Sequence, residues 1–349
     1  MAAGRARPKP ASALWPVLFL GALLAWAAWP WLPFSRAATP PTTIVFYGFS
    51  ILGDTLNGSV FPAFQKVWAA EGGSPIEFVS SFAGSGTVTN QIIMGVPAQL
   101  ALLSLESDAQ RLVQAGVVPA ESWKRLPSSG VVNRTPFVIL VRPGNPKGIH
   151  DFEDLTRPGV RIVHPDPLTS GGANWAIVAE YGAGARGMPG GPEGGRRLLE
   201  GIWNNVVAQA SSARAARTQF DNGFGDALIT YEQEALSDRA RGRLKAEIVY
   251  PRRTIFSEHT LVPIERHVGP RERPVLERFV RFLWSEEGQR LFVGQGFRSV
   301  REELNSGNRS FGRIEDPFFI SDFGGWSRAR PEIVDGIWRD QVMKRKGAR

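Results

Sequence analysis

The sequence predicts an α/β fold of two lobes, each a mostly parallel sheet flanked by helices. Three observations predict it. The chain has 349 residues, room for two or three domains or lobes. From Thr42 onward, β-rich runs alternate with amphipathic helical stretches. That alternation starts afresh near Pro136, so two such units follow one another.

Ahead of the body, residues 1–12 carry three positive charges and no negative one, and residues 13–29 are apolar. A charged start before an apolar stretch is the pattern of an export signal. Ser35-Arg36-Ala37 places small residues at −3 and −1 of a cleavage site after Ala37. The alternative is an uncleaved anchor, because the apolar stretch reaches Phe34, about 22 residues, enough to span a bilayer. Pro16, Pro30 and Pro33 interrupt that span. Either reading puts the body outside the cytoplasm, in a periplasm or its equivalent.

The body opens with a strand at Thr43-Ile44-Val45-Phe46-Tyr47, closed by Gly48. A helix follows over 59–71, with Val60, Phe61, Phe64, Val67 and Trp68 on one face. Residues 76–79 form a second strand, 86–94 a helix, 100–103 a third strand and 106–115 another helix. The second unit begins with a strand at 136–141 and the turn Pro143-Gly144-Asn145-Pro146. A strand at 159–163 leads to a helix over about 173–181. Residues 182–196, dense in glycine and proline, read as a loop or loosely ordered insertion. Helices at 196–204 and 214–222 and a strand at 226–231 complete the unit.

Composition excludes several chemistries. There is no cysteine, hence no disulfide, no thiolate metal site, no cysteine nucleophile and no lipid anchor on an N-terminal cysteine. The formal charge is +8, and half of that excess comes from Arg5, Arg7, Lys9 and Arg36 of the leader. The remaining arginines are scattered, which reads as a solvated basic surface rather than a nucleic-acid patch. His150, His164, His259 and His267 have no metal-ligand spacing and read as structural or surface residues.

Three small-residue turns carry the chemistry. Ser81-Phe82-Ala83-Gly84-Ser85-Gly86 follows a strand and precedes a helix. Leu168-Thr169-Ser170-Gly171-Gly172-Ala173 and Ser211-Ser212-Ala213-Arg214-Ala215-Ala216 do the same in the second unit. A helix start offers unpaired N–H groups and a partial positive charge. Glycine lets an anion approach, and serine adds a donor, so such turns form an anion cradle. In open α/β sheets they fall at the carboxyl ends of strands, where ligands bind. The plain alternative is helix capping by Ser85, Ser170 or Ser211. None of the turns reads as a P-loop, a dinucleotide fingerprint or G-x-S-x-G. A serine hydrolase would also need a base, and none is paired in the sequence with Ser85 or Ser170.

With these turns the chain resembles the sulfate and thiosulfate substrate-binding proteins of ABC importers, a branch of the type 2 periplasmic binding proteins. The resemblance runs over about 42–340. Its markers, in order, include Gly84-Ser85-Gly86, Lys124-Arg125-Leu126-Pro127 and Leu140-Val141-Arg142-Pro143-Gly144-Asn145-Pro146-Lys147. Pro165-Asp166-Pro167 with the turn through Trp175 and Ser212-Ala213-Arg214 follow. The strand and loop from Gly225 to Ala235, Ser285-Glu286-Glu287-Gly288-Gln289 and Phe323-Gly324-Gly325-Trp326 complete the series.

The resemblance implies a binding site in the cleft between the lobes, and no cofactor and no catalysis. It implies donors from Ser85, Ser170, Gly171, Gly172 and Ala213, with Gly84 shaping the first turn. Where the family carries a tryptophan indole this chain has Tyr231, and where it carries an aspartate after the first strand this chain has Ile51, beside Ser50. Ser50 and Tyr231 are therefore candidate contacts. The division expected is a leader over 1–37, a first lobe over 42–132 completed by 257–349, and a second lobe over 133–256. Crossing segments would lie near 131–136 and 255–261, and closure about them would trap the ligand. The partners implied are an ABC permease pair and ATPase subunits, with the binding protein a monomer that binds no nucleic acid. Sulfate is the first expectation, because a proton-free dianion needs only donors, whereas phosphate keeps a proton near neutrality and needs an acceptor. Thiosulfate, molybdate and tungstate satisfy the same condition. An oxyanion sensor held by an uncleaved leader is the remaining binding reading.

Overall fold

The computed structural model describes residues 14–28 and 40–344. The chain divides into two units, Met1–Pro41 and Thr42–Arg349. In the first, α1 (Leu14–Ala28) is apolar along its whole length. No helix among the described residues is long and apolar enough to cross a membrane. The proposed cleavage site at Ser35-Arg36-Ala37 lies outside the described residues.

The second unit contains β1 (Thr42–Phe49), α2 (Phe61–Ala70), β2 (Ile76–Ala83), α3 (Ser85–Ile93), β3 (Leu100–Leu103) and α4 (Glu106–Gln114). Next come β4 (Val131–Val141), β5 (Ile162–Pro165), α5 (Gly171–Gly187), α6 (Pro192–Asn204), β6 (Val206–Ala210) and α7 (Ala213–Asp221). Then follow β7 (Ala227–Tyr231), α8 (Glu232–Ala240), β8 (Glu247–Val249), β9 (Arg253–Pro263), α9 (Glu272–Trp284) and α10 (Glu286–Gly294). β10 (Arg298–Ser299), β11 (Asp316–Phe318), a short helix Trp326–Ala329 and a wide π-helical stretch Arg330–Met343 complete it.

The main strand order is β2-β1-β3-β9-β4-β7-β5-β6. Two parallel trios, β2-β1-β3 and β7-β5-β6, flank two long antiparallel strands. β4 and β9 pair with each other over the stretch from Val131–Thr260 to Pro136–Phe256. Beyond it, β9 joins β3 while β4 joins β7, so each long strand serves one trio. The inner parallel strands are covered on both faces, which is why Leu100–Leu103, Ile162–Pro165 and Ala227–Tyr231 are buried at every position, while the outer strands β2 and β6 carry exposed positions. Phe61 of α2 stacks on Phe78 of β2 at 4.1 Å and Phe64 of α2 meets Phe279 of α9 at 4.9 Å, fastening α2 and α9 to one trio.

The glycine-rich stretch 182–196 is not a loop. α5 runs to Gly187, α6 starts at Pro192, and only four residues separate them. Gly184, Gly194 and Gly195 serve close helix packing, while Gly190 and Gly191 form the short turn with positive φ. A methyl group at Gly184 would lie 2.8 Å from the Gly194 carbonyl, and one at Gly195 would lie 2.6 Å from the Tyr181 carbonyl. β2 also runs to Ala83, absorbing Ser81 and Phe82 from the expected first turn, because it pairs with β1 in register from Thr42–Ile76 to Phe49–Ala83.

Candidate functional site

Six strands point their carboxyl ends at one place, where the three turns meet. Gly84 lies between β2 and α3 and is the cap of that helix, with Ser85 as its first residue. A methyl group at Gly84 would stand 2.3 Å from the Thr169 carbonyl oxygen and 2.7 Å from that of Ser211. No side chain fits there, which is the reason for glycine. The Gly86 N–H donates to the Thr169 carbonyl at 3.1 Å, and the Thr169 hydroxyl donates to the Ser211 carbonyl at 2.9 Å. The three turns are thus tied together at Thr169, through its carbonyl and its hydroxyl.

Local chemistry shapes each turn. After β5, the Asp166 side chain accepts from the Leu168 N–H at 2.9 Å, and its carbonyl accepts from the Ser170 N–H at 2.8 Å. Asn174 then donates to the carbonyls of Pro167 at 2.9 Å and Ser170 at 3.0 Å, folding the loop onto α5. Ser170 caps α5 and accepts from the Ala173 N–H at 3.4 Å. In the third turn the cap is Ser212, which accepts from the Ala215 N–H at 3.1 Å, and not Ser211, whose carbonyl faces Gly84 instead. Helix geometry leaves the N–H groups of Ser85, Gly171, Gly172 and Ala213 without an intrahelical acceptor. All four residues are buried.

Two residues that sequence reasoning passed over join this set. Ser104, at the carboxyl end of β3, is fully buried. Its N–H donates to Ser85 Oγ at 3.1 Å, its carbonyl accepts from the Trp175 indole at 2.7 Å, and its hydroxyl lies 2.8 Å from Tyr231 Oη. Asp108, on α4, accepts from the Ser85 hydroxyl at 2.6 Å. Burial pushes the Asp108 carboxyl above its usual range, although Ser85 and Arg111 favour its charged form. The signal for Ser104 was its place directly after a buried strand, the position that the strand-end rule singles out. Asp108 gave no such signal, because only the approach of α3 to α4 brings it to Ser85.

Tyr231 ends β7 and is fully buried, which pushes its hydroxyl pKa up. A methyl group at Gly172 would lie 3.0 Å from Tyr231 Oη, so the phenol stands against the first turn of α5. Gly84, Ser85, Gly171, Gly172 and Tyr231 are joined by these contacts, with Ser170 and Ala213 on the same turns. Ser50 sits on a short helical turn after β1 and is half-buried, and that turn packs on α7. Among the described residues, no side-chain hydrogen bond joins Ser50 to the other candidates. Its neighbour Ile51 is fully buried in the core.

The surroundings are electropositive at one edge. A narrow groove beside the turns is lined by Gly86, Asp108, Arg111, Thr169, Ser170 and Arg330. A larger cavity of about 540 Å³ opens beside Arg214, next in sequence to Ala213, with Asp54, Glu234 and Asp238 set against Arg214, Arg217 and Arg243. Its mixed charge suits a dianion poorly. Among the described residues no cluster of His, Asp and Glu is placed to hold a metal ion. His164 is held by the Pro165 carbonyl at 2.7 Å and Glu180 at 3.1 Å. Burial drives His259 down to about 3, and it pairs with Asn133 and Ser257. Both are structural, and the Ser85 hydroxyl faces a carboxylate rather than an imidazole.

A family profile described as bacterial extracellular solute-binding protein matches residues 57–298. The chain is 32% identical to a sulfate-binding protein of Synechococcus elongatus, over 82% of each chain. It is 31% identical to a thiosulfate-binding protein of Pseudomonas aeruginosa, over 80% of this chain and 86% of that one. Among solved structures, the sulfate-binding protein SubI from Mycobacterium tuberculosis superposes with a TM-score of 0.76 at 30% identity, covering 83% of this chain and 99% of that one.

Proposed function

Because the chain belongs to the bacterial extracellular solute-binding proteins, in the sulfate- and thiosulfate-binding branch with the type 2 periplasmic fold, we propose that it captures sulfate outside the cytoplasm and delivers it to an ABC importer. The observation that carries this reading is the meeting of three helix starts at Gly84, Ser170–Gly172 and Ala213, bound together through Thr169 and Ser211. Main-chain N–H groups of Ser85, Gly171, Gly172 and Ala213, with the Ser170 hydroxyl, would surround a proton-free dianion. The Ser85 hydroxyl is committed to Asp108, so Ser85 would act through its N–H.

The two trios with their helices would act as lobes, 42–132 with 257–349 on one side and 133–256 on the other. Closure would bend the paired stretches of β4 and β9. The closed form would then meet a permease pair driven by ATPase subunits. A second reading places thiosulfate or molybdate in the same site, because Tyr231 stands where the family's indole would be and its hydroxyl can supply the donor that either proton-free dianion needs. Calorimetric titration of the purified chain with sulfate, thiosulfate and molybdate tests both. Micromolar sulfate binding, about −8 kcal/mol, is expected, with the other two weaker. Tighter binding of molybdate would replace sulfate with the second reading, and no binding of any of them below about a millimolar would end the proposal.

A further inference from the structure

We propose that Ser104 and Tyr231 together set the specificity of the anion site, admitting a tetrahedral oxyanion that carries one proton, of the hydrogen phosphate class, beside proton-free dianions. The proposal rests on the oxyanion reading above. Its basis is the hydroxyl pair at 2.8 Å and where that pair stands.

The other polar atoms of Ser104 are spent. Its N–H serves Ser85 and its carbonyl serves the Trp175 indole. Its hydroxyl and that of Tyr231 share one contact, which uses one hydrogen and one lone pair. One hydrogen and further lone pairs remain between them. Both oxygens border the first turn of α5. A methyl group at Gly171 would lie 2.8 Å from Ser104 Oγ, and one at Gly172 would lie 3.0 Å from Tyr231 Oη. The pair can therefore give one hydrogen bond to an oxyanion and take one from it. With Tyr231 donating to Ser104, the Ser104 hydroxyl donates to one ligand oxygen while Tyr231 Oη accepts from a protonated one. A donor-only indole in this position would set hydrogen against hydrogen. Burial keeps Tyr231 as the neutral phenol that this exchange requires.

The test titrates the purified full-length chain with sodium sulfate and with inorganic phosphate. A mildly alkaline buffer keeps phosphate chiefly as its singly protonated dianion. The wild-type chain should bind both, sulfate more tightly. Tyr231→Phe and Ser104→Ala should each lower phosphate affinity about tenfold, the effect of one misplaced hydrogen bond, and sulfate affinity far less. Tyr231→Phe preserves shape, so it decides the question alone if Ser104→Ala does not fold. Equal losses for both anions would reduce the pair to a structural contact and overturn the proposal. Sulfate binding without phosphate binding by the wild-type chain would overturn it too. Failure to bind either anion would instead remove the oxyanion reading on which it rests.

Discussion

At the residue scale, the candidate site depends on where side chains are absent. Gly84 faces two carbonyl oxygens that belong to other turns, and main chain cannot rotate out of the way as a side chain can. Gly84→Ala should therefore push the first turn from the other two. We expect sulfate affinity to fall at least about tenfold, as for a lost pair of well-placed donors, read by calorimetry. Asp108 gives a second prediction. Its carboxyl titrates above the usual range in the folded chain, so the native state holds its proton where the unfolded chain has released it. Stability contributed by this group is then lost as pH rises from the ordinary carboxylate range through the raised value. Asp108→Asn removes that slope. The melting temperature of the variant relative to wild type should climb across that window and level off above it. A difference independent of pH would contradict the burial of Asp108.

At the scale of elements, α5 and α6 show what a glycine-dense sequence can mean. Gly184, Gly194 and Gly195 let two helices approach until main-chain atoms nearly touch. Gly195→Ala places a methyl group 2.6 Å from the Tyr181 carbonyl and should cost about 1–3 kcal/mol through overpacking. Gly191, also in this stretch, has open space around it but a positive φ of 54°. With ψ at −117° it lies outside the left-handed helical well, and substitution there should cost about 1–3 kcal/mol in backbone strain. Thermal or urea unfolding of the two variants would separate packing from strain. The same reasoning explains why local pattern read 182–196 as a loop: glycine marks both a turn and a close contact, and only the partner helix distinguishes them.

For the molecule as a whole, ion pairs tie the region after β1 to the second trio. Asp54 accepts from Arg214 at 3.2 Å and from Arg241 at 2.8 Å, and Arg214 directly follows Ala213 of the candidate site. These side chains are partly exposed, so the pairs are each worth about 0.5 kcal/mol or less after screening. Asp54→Asn should weaken sulfate binding about threefold through faster release. The loss should shrink as salt is added. Stopped-flow release rates at two ionic strengths would show it, and an effect on association alone would contradict it.

The sequence by itself determined most of the strand and helix order from Thr42 to Tyr231, because hydrophobic period and flanking glycines are local properties, but it did not mark β6 or the long strand β9. It also determined the three turns and their glycines and serines, since each turn is a contiguous run at the end of a strand. Tertiary structure alone decided which groups stand beside them. Asp108 reaches Ser85, and Ser104 reaches Tyr231 across 127 positions, only after α4 and β7 have packed. It also decided that Ser212, not Ser211, caps α7, because the Ser211 carbonyl is turned toward Gly84. Donor and acceptor roles are fixed by such non-local neighbours. Period and composition carry no record of them, so the cradle was legible in the sequence while the carboxylate and hydroxyl pair behind it were not.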